Sequence, residues 1–87
     1  GTAAEGKRIR IRGTVQGVGF RPWVYRVAVQ AGVTGRVRND SSGVTIDAFG
    51  DGASLRRFEE ALHASPPPAA RIADYEAVSI PPEPVTS

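Results

Sequence analysis

Apolar residues alternate with polar ones from Lys7 to Thr14, where Ile9 and Ile11 fall on one side and Arg8, Arg10 and Arg12 on the other. A period of two marks a half-buried strand with one packed face and one wet face. From Pro22 the period lengthens. Trp23, Val24, Val27, Ala28 and Ala31 form a helical stripe, proline suits a first turn, and Gly32 ends the run. Val27 and Val29 cost a little helix propensity, which burial overrides. Thr34 to Arg38 and Val44 to Phe49 read as two strands of a hairpin, joined through Asn39-Asp40-Ser41-Ser42-Gly43. The residues of that turn accept positive φ or bond locally to the backbone. After Gly50-Asp51-Gly52, Ser54 is placed to cap a second helix with Leu55, Phe58 and Leu62 at i, i+3 and i+7, which stops before Pro66-Pro67-Pro68. Arg71 to Ile80 is the last strand, with Ile72, Val78 and Ile80 expected in the core.

The order strand, helix, strand, strand, helix, strand predicts an α+β fold of the split βαβ (ferredoxin-like, βαββαβ) kind. Two right-handed crossovers would lay two helices on one face of a four-stranded antiparallel sheet. The 87 residues suffice for one small domain. Residues 1–6 read as a flexible lead, 7–80 as the domain and 81–87 as a linker or tail.

Composition narrows the chemistry. There is no cysteine and a single histidine, His63, so disulfides and thiolate metal sites are excluded and neither metal nor cofactor is expected. No apolar run approaches the roughly 20 residues that span a bilayer, and the first residues lack the core of a signal peptide, so no membrane partner is expected and the cytoplasm is the expected location. The net charge is +2 but unevenly spread: Lys7, Arg8, Arg10, Arg12, Arg21, Arg26, Arg36 and Arg38 precede Asp40 with only Glu5 against them. This reads either as a solvated basic face or as a field that draws in an anion.

Between the first strand and the first helix lies Gly13-Thr14-Val15-Gln16-Gly17-Val18-Gly19-Phe20-Arg21. Gly17 and Gly19 let the backbone come close to a ligand. The first amides of a helix favour an oxyanion, and a guanidinium such as that of Arg21 binds two phosphate oxygens at once. From these residues alone, a plain turn and an anion cradle stand about even. The stretch is neither a Walker A loop nor a dinucleotide fingerprint, for want of Lys and Ser/Thr and of a third glycine. Asn39 is likewise either a turn residue or an amide that orients a water molecule.

Gly13-x-Val15-Gln16-Gly17-Val18-x-Phe20-Arg21 resembles the first signature of the acylphosphatase family, and Gly35-x-Val37-Arg38-Asn39-x-x-x-Gly43 resembles the second. The similarity runs from about Arg8 to Ile80. It implies that Arg21 and Asn39 are catalytic, with Gln16, Gly17, Val18, Gly19, Phe20 and Arg21 forming the phosphate-binding loop. Of these, the N–H groups of Val18, Gly19, Phe20 and Arg21 and the Arg21 guanidinium would hold phosphate, and Asn39 would position the attacking water. A finer similarity, in Gly19-Phe20-Arg21-Pro22-Trp23-Val24, Asn39-Asp40 with Gly43-Val44, and Pro67-Pro68-Ala69-Ala70-Arg71-Ile72, points within the family to the N-terminal acylphosphatase-like domain of the carbamoyltransferase that matures nickel–iron hydrogenases. That resemblance implies carbamoyl phosphate as substrate, further carbamoyltransferase domains downstream and a hydrogenase-maturation partner protein. Arg36 and Asp40 depart from the pattern of the small enzymes.

Two other functions fit the residues. One is a stand-alone acylphosphatase of broad specificity. The other is an RNA-binding module using Arg8, Arg10 and Arg12 on the open sheet face, although that strand carries no aromatic residue to stack bases. His63, late in the second helix, reads as a surface residue, and Phe20, Trp23 and Phe58 read as core.

Overall fold

The computed structural model describes residues 4–16, 19–41, 43–64 and 66–82. Six elements follow in the expected order: β1 (Glu5–Thr14), α1 (Phe20–Ala31), β2 (Thr34–Asn39), β3 (Gly43–Gly50), α2 (Gly52–Ala64) and β4 (Arg71–Ile80). The strands form one sheet in the order β2-β3-β1-β4, every neighbouring pair antiparallel. This is the α+β, ferredoxin-like sandwich that the pattern predicts.

β1 starts earlier than its alternation indicates. Glu5 pairs with Gly50, and Gly6 pairs with both Phe49 and Ile80, so these two residues belong to the sheet rather than to a flexible lead. Gly6 is buried, and a Cβ there would meet the Ile80 carbonyl oxygen at 2.9 Å, so the close pairing with β4 favours glycine. Gly1 to Ala3 and Pro84 to Ser87 lie outside the described residues, as does Glu83.

The helix-facing side of the sheet supplies Ile9 and Ile11 from β1 and Val44, Ile46 and Ala48 from β3, all buried. They pack with Phe20, Val24, Val27 and Ala31 of α1 and with Leu55, Phe58 and Leu62 of α2. The stripe predicted for α1 is therefore its packed face, with Trp23 and Ala28 half-buried at the margin. Gly32 ends α1 in the left-handed conformation (φ 79°), its N–H donating to the carbonyls of Ala28 and Val29.

Two expectations are corrected. Ser54 does not cap α2. It lies inside the helix, buried, and its N–H donates to Asp51 Oδ1 at 2.7 Å, which makes Asp51 the cap. Val78 and Ile80 do not face the core: Val78 is 46% exposed, and the β4 residues packed against the core are Ile72, Tyr75 and Ala77. The cause is an irregularity in the β1–β4 pairing. Arg12 pairs with Asp74 but Gly13 pairs with Ile72, so Ala73 is an extra residue that reverses which side chains face the helices.

Candidate functional site

The topology brings separate parts of the chain to one edge of the sheet. β1 and β2 both run antiparallel to β3 and are therefore parallel to each other, so both end where β3 begins. α1 leaves from that same edge, one loop after β1. The start of α1 and Asn39, the last residue of β2, thereby lie at the same edge of the sheet although they are distant in sequence.

Two buried side chains anchor the loop at its ends, Val15 and Phe20, each 1% exposed. Phe20 is held further by a tilted contact with Trp23, ring centroids 5.2 Å apart. Gln16 fastens the loop sideways. Its Nε2 donates to the Asp40 carbonyl oxygen at 2.6 Å and to the Gly43 carbonyl oxygen at 2.9 Å, spanning the β2–β3 turn. Gln16 belongs to the loop that the resemblance assigns to phosphate binding, and its side-chain nitrogen, committed to this turn, joins that loop to the strand end that carries Asn39. Gly17 and Val18, also assigned to the loop, lie outside the described residues.

Gly19 precedes α1 in the left-handed conformation, φ 77° and ψ 17°, which explains a glycine at this position. A Cβ added there would meet nothing within 4 Å, so the backbone borders open space. No side chain caps α1, and no acid sits in its first turn. Pro22 has no N–H, and the Trp23 N–H donates to the Gly19 carbonyl oxygen at 3.3 Å. Among the described residues, the amides of Phe20 and Arg21 meet no backbone acceptor, and they lie at the positive end of the helix dipole.

Arg21 is exposed, and its side chain makes no hydrogen bond or ion pair with any described residue. A cation in a first helical turn is disfavoured by the dipole, and nothing among the described residues offsets it. Asn39 is exposed as well, and pairs with Val44, so it lies on the same side of the sheet as the helices. The arrangement has the parts needed to bind a tetrahedral oxyanion: a guanidinium, helix-start amides and a neutral amide at the rim.

The open face of the sheet is electrostatically different. Arg8 donates to Asp47 Oδ1 at 2.9 Å, an interaction that raises the already high pKa of the guanidinium. Arg10 and Arg12 lie opposite Glu76 and Asp74 in the β1–β4 register. The basic strand is therefore interleaved with acids that its own sequence does not contain. His63 is exposed at the end of α2, its ring 4.3 Å from that of Tyr75. Tyr75 donates to Glu59 at 2.8 Å, and burial together with that carboxylate pushes its phenol well above the usual range. Among the described residues, no group of three or more His, Cys, Asp or Glu could hold a metal ion, and no helix is long and apolar enough to cross a membrane.

Known proteins share this sequence and shape. A model of the family described as Acylphosphatase matches residues 7–87. Over 65 residues the chain is 55% identical to the carbamoyltransferase HypF2 of Cupriavidus necator, an alignment that takes in 75% of this chain and 8% of that protein. Over 63 residues it is 49% identical to an acylphosphatase of Thermotoga maritima, covering 71% of this chain and 70% of that one. Among solved structures, full-length HypF in its phosphate- and nucleotide-bound form superposes with a TM-score of 0.88 at 32% identity, over 91% of this chain and 10% of that chain. An acylphosphatase from Coxiella burnetii superposes with a TM-score of 0.84 at 30% identity, over 95% of this chain and 87% of that one. The chain thus spans 8% to 10% of the length of the first carbamoyltransferase relatives, which it matches at their acylphosphatase-like N-terminal domain.

Proposed function

Since the chain belongs to the acylphosphatase family, we propose that it binds and hydrolyses carbamoyl phosphate, with Arg21 and Asn39 as the catalytic residues. The observation that carries this reading is the first turn of α1. It holds Arg21, no acid and no side-chain cap, at the sheet edge where β2 ends in Asn39. A site that is unfavourable when empty becomes favourable once a dianion enters it.

The phosphoryl group sits against the Phe20 and Arg21 amides and the guanidinium, next to the open backbone at Gly19. Asn39 accepts a hydrogen bond from a water O–H and turns that water's lone pair toward phosphorus. The water oxygen bonds to phosphorus as the bridging P–O bond breaks. The bonding pair leaves with carbamate, and the water proton ends on the released phosphate. Carbamate is a weak base and departs without a general acid, so His63 has no part. The protein supplies alignment and neutralisation of charge.

The identity to HypF2 supports a wider reading, that this is the N-terminal module of a carbamoyltransferase that matures nickel–iron hydrogenase. Residues 81–87 then lead toward the later domains, which pass the carbamoyl group on to a partner protein. The match to small acylphosphatases over most of their length supports the alternative, a stand-alone enzyme of broad specificity.

Phosphate release from carbamoyl phosphate and acetyl phosphate tests the catalytic core. Removing one preorganised oxyanion contact costs about 3–4 kcal/mol, so Arg21→Ala is expected to slow release by roughly 10²- to 10³-fold. Asn39→Ala is expected to lower kcat with little change in KM. Release unchanged in both variants overturns the assignment. A preference for carbamoyl over acetyl phosphate, with a run of paired cysteines encoded after Ser87, favours the carbamoyltransferase module. Equal use of both, with no such run, favours the small enzyme.

A further inference from the structure

Every polar group of Asp40 is engaged. Its N–H donates to the Gly43 carbonyl oxygen at 2.9 Å, and its own carbonyl oxygen accepts from Gln16 Nε2 at 2.6 Å. Oδ1 accepts from the Gly43 N–H and Oδ2 from Thr45 Oγ1, both at 2.8 Å. Thr45 lies within β3 and is 6% exposed, so the carboxylate grips a rigid part of the sheet. Successive residues of a strand point to opposite faces. Thr45 pairs with Arg10 on the open side, whereas Asn39 pairs with Val44 on the helix side. The carboxylate therefore holds the turn from the open side while the preceding residue, Asn39, lies on the helix side of the sheet.

We propose that Asp40 is a positioning residue for the hydrolytic reaction: by clamping the β2–β3 turn to Gly43 and Thr45, it fixes the direction of the Asn39 amide. The inference rests on the water-orienting role proposed for Asn39. It treats Asp40, a departure from the pattern of the small enzymes, as part of how this chain aligns its water. The effect runs through geometry, since both carboxylate oxygens are turned to protein donors. Phosphate is held by other groups, so loss of the clamp falls on kcat and spares anion affinity.

The experiment compares the parent chain with Asp40→Ala, Asp40→Asn and Thr45→Val. It measures acetyl phosphate hydrolysis, inhibition by inorganic phosphate, and the NMR order of the Asn39 side-chain amide. Misalignment of a reacting group costs up to about 100-fold, so Asp40→Ala is expected to lose roughly 10- to 100-fold in kcat, with the inhibition constant for phosphate within about twofold. Its Asn39 amide is expected to become more mobile. Asp40→Asn keeps an acceptor for the Gly43 N–H and presents a donor to Thr45 Oγ1, and is expected to recover most of the rate. Thr45→Val removes one contact and carries the same test with a smaller loss, should Asp40→Ala fail to fold. A folded Asp40→Ala protein with parental kcat, or Asp40→Asn as impaired as Asp40→Ala, overturns the proposal. If the parent hydrolyses no acyl phosphate, the proposed function falls separately. The clamp is then judged on the Asn39 amide, whose order left unchanged by Asp40→Ala overturns it too.

Discussion

A guanidinium in the first turn of a helix is an electrostatic cost, and Arg21 carries it with no acid in that turn and no described partner. Charges near a helix end are worth about 0.3–1 kcal/mol. Arg21→Gln keeps a comparable helix propensity while removing the charge. In phosphate-free buffer this variant is expected to melt at or slightly above the parent temperature, while hydrolysis is lost. A clear drop in melting temperature contradicts the idea that Arg21 is kept for a ligand rather than for the fold. Gln16 behaves in the opposite way. Its amide nitrogen meets two carbonyl oxygens, so Gln16→Glu places a carboxylate where only donors fit. That variant is expected to lose about 1–3 kcal/mol of stability in denaturant unfolding, along with activity. A stability equal to the parent's means that the tether does not form in solution.

Among the elements, α2 shows how a cap fixes a pH response. The Ser54 N–H bonded to Asp51 holds the Asp51 carboxyl below its usual range, with Arg57 and Ala53 adding smaller effects. A carboxyl depressed in the folded state stabilises it above the ordinary carboxyl pKa, and loses that contribution as pH falls through the folded value. Asp51→Ala is therefore expected to lower the melting temperature at pH 7, and the gap to the parent is expected to close below about pH 4. A gap that persists in acid points to another cause. The six elements are legible in the sequence because alternation, helical stripes and turn residues agree over each segment. Ser54 is a good capping residue by type, but Asp51 lies one residue before the helix and wins by position. Strand β4 reads wrongly at Val78 and Ile80 because a single extra residue at Ala73 reverses the parity, and no side-chain pattern announces it. Within the proposed site, Arg21 and Asn39 are read from their motifs, and the element order puts them at a helix start and a strand end. The reach of Gln16 to Asp40 and Gly43 is not, since a hydrogen bond between residues 24 and 27 positions apart leaves no local trace. The motif glycine Gly35 has a structural cause as well: at φ 141°, a Cβ there would collide with the Asp47 carbonyl oxygen of the neighbouring strand.

Across the whole molecule, the two basic regions differ in what surrounds them. On the open face, β1 runs between β3 and β4, so Arg8 meets Asp47, and Arg10 and Arg12 lie opposite Glu76 and Asp74. The positive charge of the amino-terminal half is largely answered there once the sheet assembles. RNA binding at physiological salt is accordingly expected to be weaker than micromolar, and a micromolar affinity abolished by Arg10→Glu would revive the nucleic-acid reading. At the site edge no described acid answers Arg21. Inorganic phosphate, the reaction product, should therefore bind the native state and not the unfolded chain, in which the Arg21 guanidinium and the helix amides no longer converge. Such binding adds RT ln(1 + [L]/Kd) to stability, about 2.7 kcal/mol at a hundredfold excess over Kd. For a domain of this size, each kcal/mol shifts the melting temperature by roughly 4–8 °C. The parent is expected to melt more than about 10 °C higher at saturating phosphate, measured against chloride at equal ionic strength. Arg21→Gln is expected to lose most of that shift, whereas Arg10→Gln on the open face should keep it. Equal shifts in all three proteins would mean that phosphate acts as a general salt, and would detach the anion site from the start of α1.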